Sequence, residues 1–442
     1  MFKRKIYSQM RSWKEESKGK TALLIEGARR VGKSTVAKYF AEKEYKSYIL
    51  IDFASASKPV KALFEDISNL DYFFLQLQLY CDTTLHKRES VIIFDEVQLF
   101  PLARQAIKSL VADGRYDYIE TGSLISIRKN VKDILIPSEE RRISMYPMDY
   151  DEFRWALGDT STSVLLSQAF ANKLILGEAV HRKLMLDFRL YMLIGGMPQV
   201  IETYLETNNF RQIDDAKRDI LDLYENDFLK IDQSGNISRL FDAIPAELNR
   251  NASRYQVGSV IPNSSAKRIE ALLAELLQSK TVLIAYHAND PNVGLSSNID
   301  ITRFKLFLAD TGLFTTLQFK DKTFTDNIIY KKLLSGKLGA NLGYLYENIV
   351  AQTLTSSGHR LFYHTWKKTP TSRPYEIDFV LSRNNKITPL EVKSSSYLTH
   401  NSLDVFSIKY SNRINEMFLI YTKDLKKDGN VTCLPVYMAQ YL

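Results

Sequence analysis

Residues 21–35 read TALLIEGARRVGKST. The run TALLIE is short, continuous and aliphatic, as a strand buried on both faces is. GARRVGKST (27–35) then sets Gly27, Gly32, Lys33 and Ser34 at the spacing G-x-x-x-x-G-K-[ST]. The glycines let the backbone turn so that successive N–H groups point inward, and the dipole of a following helix adds positive potential. That helix is supplied by TVAKYFAEKEY. A loop of this kind, made by Gly27, Ala28, Arg29, Arg30, Val31, Gly32, Lys33, Ser34 and Thr35, suits a nucleotide's phosphates. Lys33 is expected to reach the β- and γ-phosphates, and Ser34 to offer its hydroxyl to Mg²⁺. Average residue usage would produce the pattern by chance in roughly one or two of a hundred chains this long, so the strand–loop–helix context decides.

Outward from the loop, further apolar runs alternate with helix-compatible stretches: SYILIDFA (47–54), VIIFDEV (91–97), YDYIETGS (116–123) and RRISMYPM (141–148). This predicts βαβ units and a parallel sheet with helices on both faces. VIIFDEVQ ends in two acids. Asp95 is expected to hold Mg²⁺ through its water shell, and Glu96 to polarise an attacking water. Thr121, at the end of its strand, is a candidate to reach the γ-phosphate. Arg128, Arg141 and Arg142 are candidates for the cation that offsets transition-state charge.

The chain has 442 residues and a net charge of +8, a basic excess that admits nucleotide or nucleic acid as partner. Two distant cysteines, Cys81 and Cys433, exclude a disulfide framework and a zinc site, and the six histidines are scattered. The N-terminal segment has no apolar h-region, and no run of about 18 apolar residues occurs, so neither a signal peptide nor a membrane span is expected. The expected location is cytoplasmic.

Residues 181–194 and 211–229 carry apolar residues at helical spacing, interrupted at Gly195, Gly196 and Pro198. In SSAKRIEALLAELLQ, Ile269, Leu272, Leu273, Leu276 and Leu277 share one helix face. TVLIAYHA and RFKLFLAD follow as two strands with a turn-rich tip, a winged-helix pattern able to read DNA or to serve as a packing module. A helix, LGYLYENIVAQTL (342–354), then leads to YEIDFVLS and ITPLEVKSS. Residues two apart on a strand share a face, so a hairpin would set Asp378 beside Glu391 and Lys393. This is a D-x(n)-E-x-K arrangement able to hold a metal, with Glu347 as a further carboxylate.

GARRVGKST, VIIFDEVQ, TGSLISIRK, RRISMYPMDYDEF and IGGMPQV together resemble the prokaryotic AAA-type ATPases of the archaeal-ATPase-like, STAND-related group. LADTGLF, LGYLYENIV, YEIDFVL and PLEVKSS resemble the PD-(D/E)XK nuclease-like domain fused to them. The resemblance implies a P-loop ATPase core over 1–155, a helical lid or linker over 156–234, a winged-helix-like unit over 235–322 and a restriction-endonuclease-like α/β domain over 323–442. It implies ATP and Mg²⁺ as cofactors, with ATP hydrolysis. DNA, a second copy or another protein are candidate partners. Metal chemistry at Glu347, Asp378, Glu391 and Lys393 is the expectation for the C-terminal domain, although Glu376-Ile377 replaces the proline that would lead into Asp378.

Overall fold

A computed structural model describes residues 1–122, 138–250, 252–322, 327–335, 343–368, 374–395 and 399–442. Arg128 lies outside them. The chain divides into two compact units, Met1–Tyr146 with Gln278–Lys280, and Pro147–Leu277 with Thr281–Leu442.

The first unit is built on five parallel strands: β1 (Ala22–Glu26), β2 (Ser47–Asp52), β3 (Ser90–Asp95), β4 (Asp117–Gly122) and β5 (Glu140–Ser144). Their order across the sheet is β2-β3-β4-β1-β5. Strands β1, β3 and β4 are buried at every residue, which is why they read as continuous apolar runs. β5 is an edge strand and half-exposed. Phe53, Phe64, Phe73, Phe94 and Phe100 stack edge-to-face and face-to-face between the β2–β3 end and the helices Leu70–Cys81 and Pro101–Asp113. Each fully buried phenylalanine contributes roughly 1.5–3 kcal/mol. Because β4 lies between β1 and β3, the carboxyl end of β4 stands between the loop after β1 and the acids after β3.

The second unit begins with helices, among them Glu178–Ile194, Pro198–Thr207 and Phe210–Ile231. The break between the first two is a close backbone approach. A Cβ on Gly196 would stand 2.1 Å from the Met148 carbonyl oxygen, and one on Gly312 would stand 2.3 Å from that of Ile194. Asp310 is buried there. Its Oδ2 accepts from the Gly196 N–H at 2.6 Å, and its Oδ1 from that of Leu313 at 2.8 Å. The segments IGGMPQV and LADTGLF therefore meet.

Two sheets follow. In the first, β6 (Val282–Ala288) and β7 (Ile299–Leu308) form the antiparallel hairpin expected from the sequence, but β6 also pairs in parallel with β8 (Leu361–Trp366), which pairs antiparallel with β9 (Tyr375–Ile377). The sheet thus crosses the boundary expected between residues 322 and 323. The second sheet has the order β10 (Phe379–Arg383), β11 (Lys386–Lys393), β12 (Met417–Tyr421), β14 (Val431–Pro435), β13 (Lys426–Asp428). YEIDFVLS is one strand in the sequence and two in the structure. It bends at Asp378 and changes partner, from β8 to β11. The helix Gly343–Ser356 is buried along most of its length. Asn348 pairs with both backbone groups of Leu308, at 2.8 and 3.2 Å.

Candidate functional site

The loop after β1 carries the first site. Gly32 has φ 96° and ψ 25°, a left-handed conformation favouring glycine, and opens the helix Lys33–Glu44. A Cβ on Gly27 would meet the Met145 carbonyl oxygen at 2.3 Å, so the loop passes too close to β5's exit for any side chain. From the N-terminal helix region, Arg4 donates to the Val31 carbonyl at 2.8 Å and to that of Tyr146 at 2.7 Å. This guanidinium fixes the back of the loop. One arginine among many in a basic N-terminal segment is not distinctive, so Arg4 is not legible from the sequence.

Lys33 is buried, and its Nζ donates to the carbonyl oxygens of Gly27 (3.1 Å) and Ala28 (3.0 Å). Burial lowers its pKa, with the charges of Glu96 and then Asp95 acting the other way. The ammonium and both acids thus share one electrostatic environment. Ser34 Oγ donates to Asp95 Oδ1 at 2.7 Å, and Thr121 Oγ1 donates to the same oxygen. Thr121 in turn accepts from the Glu96 N–H at 3.4 Å. Lys33, Ser34, Asp95, Glu96 and Thr121, expected from separate stretches of sequence, come together at the carboxyl ends of β1, β3 and β4. Ala28 and Val31 are buried, while Arg30 and Thr35 are exposed.

Glu96 sits at φ 52° and ψ 44°, a left-handed backbone for a non-glycine residue. Such a conformation costs of order 1–3 kcal/mol and is held only where its surroundings impose it. Gln98 donates to the Glu96 carboxylate through Nε2. Its Oε1 lies where a Cβ on Gly122 would come within 2.4 Å. Gln98 was not expected from the sequence; two positions after an Asp-Glu pair, it reads as an ordinary polar residue. Ser34 and Asp95 are hard oxygen donors on neighbouring elements, a set that fits Mg²⁺. Arg141 and Arg142 lie inside β5, beside Leu23 and Leu24 of β1, and below its carboxyl end. Arg141 pairs with Glu16, and Arg142 with Glu140 and, at 3.9 Å, with Glu26 at the end of β1.

The C-terminal cluster is assembled differently from expectation. Ligand atoms of Glu347, Glu376 and Asp378 lie within 4.8 Å of one another. Glu391 is not in this group, although β10–β11 pairing runs up to Phe379 opposite Leu390. At the bend, Asp378 Oδ2 accepts the Val392 N–H at 2.7 Å. Glu391 instead lies 3.3 Å from Lys393 Nζ, which also donates to the Thr399 carbonyl. Among these acids stands Lys305 of β7, 6% exposed, donating to Glu347 Oε1 at 2.7 Å and to Glu376 Oε1. Burial alone would lower the Lys305 pKa. The charges of Glu347, Glu376 and Asp378 outweigh it and hold the ammonium protonated well above the usual lysine range. Asp378 is pushed well above the usual carboxylate range, first by burial and then by the Glu347 charge. Lys305 was legible only indirectly. It interrupts RFKLFL, a run otherwise fit for a buried strand, and a lysine there needs acids beside it.

Three segments of the chain match known families. Residues 19–154 match the family described as AAA domain. Residues 185–323 match a domain of unknown function (DUF8612), and 342–438 another (DUF4143). No curated protein matches the chain. A Walker-type ATPase of Pyrococcus abyssi is similar at 17% identity and a TM-score of 0.42, over 72% of this chain and 96% of that one. The RuvB Holliday junction branch migration motor of Thermotoga maritima is similar at 14% identity and a TM-score of 0.27, over 64% and 89%. A STAND protein with a tetratricopeptide repeat sensor from Pyrococcus horikoshii shows 10% identity and a TM-score of 0.27, over 78% and 45%. No single described helix is long and apolar enough to cross a membrane. The first unit has a P-loop NTPase fold, and residues 19–154 match an AAA domain.

Proposed function

We propose that this chain is a magnesium-dependent ATPase switch. The observation that carries the reading is the double hydroxyl contact on Asp95 Oδ1, from Ser34 and Thr121, beside Lys33 and Glu96. Lys33 exchanges its loop carbonyls for the β- and γ-phosphates. Ser34 and Asp95 would hold the Mg²⁺, which neutralises charge developing on the phosphates. Glu96 accepts a proton from, or orients, the attacking water, with Gln98 restraining its carboxylate. Thr121 links the metal-holding acid to the water-orienting one, donating to Asp95 and accepting from the Glu96 N–H. A cation, from this chain or from a second copy, would complete the site.

We assign nucleic acid as the target of the switch on the net charge of +8 and the winged-helix-like segment 235–322. Lys33→Ala is expected to abolish ATP turnover, and DNA to raise wild-type turnover in a salt-dependent way. Wild-type turnover by Lys33→Ala would remove the loop assignment. Turnover indifferent to DNA at low salt would remove the target. The second reading is a STAND-type switch whose C-terminal unit, 323–442, is a protein-docking platform. It is favoured by Lys305, whose donation to Glu347 and Glu376 leaves an ATP-regulated nuclease the least supported alternative. A change of assembly size on adding a non-hydrolysable ATP analogue would speak for the docking reading.

A further inference from the structure

The fold to which the C-terminal segment is likened calls for a divalent ion among its carboxylates, and the residues present fit one poorly. A metal ion needs lone pairs directed at it from several oxygens. Here one oxygen of Glu347 and one of Glu376 accept from the same ammonium, which is an all-donor group with no lone pair to share. The third carboxylate, Asp378, has Oδ2 committed to the Val392 N–H. Glu391, expected to complete a ligand set, is outside the group and beside Lys393. Lys305 itself comes from β7, and the acids from the helix Gly343–Ser356, from β9 and from the bend after it. An ammonium in this place does what a cation does structurally, joining elements far apart in sequence, without activating water.

We infer that the Lys305 ammonium takes the place of a divalent cation among Glu347, Glu376 and Asp378, so that this cluster is a metal-independent joint and not a phosphodiester-cleaving centre. Removing the ammonium while keeping the three acids would leave converging carboxylates with unmatched charge, and a divalent ion would then be the species that satisfies them.

The test uses the full-length chain without nucleotide and Mn²⁺ as probe, with free ion counted by electron paramagnetic resonance. The titrations of wild type and Glu376→Gln are expected to coincide. Lys305→Met is expected to gain one bound ion per chain, lost again in Lys305→Met/Glu376→Gln. An ion bound by wild type and removed by Glu376→Gln would overturn the inference, as would a folded Lys305→Met that gains none. Should Lys305→Met not fold, thermal unfolding of wild type and Glu376→Gln with and without Mn²⁺ decides. Equal responses support the inference. A midpoint raised by Mn²⁺ only in wild type overturns it.

Discussion

Lys33 and Lys305 are both buried lysines set among acids, and they use their hydrogen bonds in opposite ways. Lys33 donates to two backbone carbonyls, and the nearby Asp95 is held by the hydroxyls of Ser34 and Thr121. Lys305 donates to the carboxylates themselves. A hydroxyl that donates to a carboxylate keeps lone pairs to offer a cation, whereas an ammonium keeps none. The first arrangement is thus ready for a metal and an anion, and the second is already neutralised. Counting acids and lysines does not distinguish the two; the partner of each acid does.

Glu96→Gln separates the two lysine sites by the largest effect. If Glu96 handles the attacking water, steady-state phosphate release should fall about 10²–10⁴-fold, while ATP retention on filters stays near wild type. Unchanged release would assign Glu96 no role in the chemistry.

The next largest effect tests whether a cation buried with acids is structural in the first unit too. Arg104 donates to both oxygens of Glu140 at 2.8 Å, and Glu120 lies 3.9 Å from it. All three are almost wholly buried. Arg104→Met should lower stability by about 3–5 kcal/mol, because it leaves buried charge uncompensated. Denaturant unfolding measures this, and a loss below about 1 kcal/mol would contradict it.

His364 is buried, with Nδ1 2.7 Å from the Ala288 carbonyl and Nε2 3.1 Å from the Tyr410 hydroxyl. Burial pushes its pKa from 6.5 down to about 4. Between those values the unfolded chain binds a proton that the folded chain refuses. Stability is full above pH 6.5 and is lost as pH falls toward 4, by up to about 3 kcal/mol from this group. His364→Phe should flatten unfolding midpoints across that window, and an unaltered pH profile would refute the assignment. The smallest effect belongs to Arg141→Ala. Its pairing with Glu16 is exposed, and its removal should change stability by less than about 1 kcal/mol. A larger loss would mean that surface pairs matter here as buried ones do.

Much of the first site is local in sequence, which is why it could be read. The loop is nine consecutive residues, and Asp95–Glu96 follow one apolar run. What sequence does not encode locally is who meets whom across the sheet. Thr121 was expected to face a phosphate, and the structure shows its hydroxyl on Asp95 because β4 inserts between β1 and β3. Arg4, remote from the loop by a helix, supports it through two carbonyls. The C-terminal site was less legible for the same reason. The bend at Asp378 splits one apparent strand between two sheets, and moves Glu376 into the cluster in place of Glu391. Lys305 reaches it from a hairpin some forty residues before Glu347 in the chain, a distance no motif spans. The joint of Gly196 with Asp310 is similar: each motif was visible, but their contact was not.

One dialysis measurement bears on the whole account: Mn²⁺ retained by the full-length chain at equilibrium with ATP, for wild type, Asp95→Asn and Glu376→Gln. The account predicts one ion per chain in wild type, the same in Glu376→Gln, and none in Asp95→Asn. Retention by Asp95→Asn, or a second wild-type ion that Glu376→Gln removes, would contradict it.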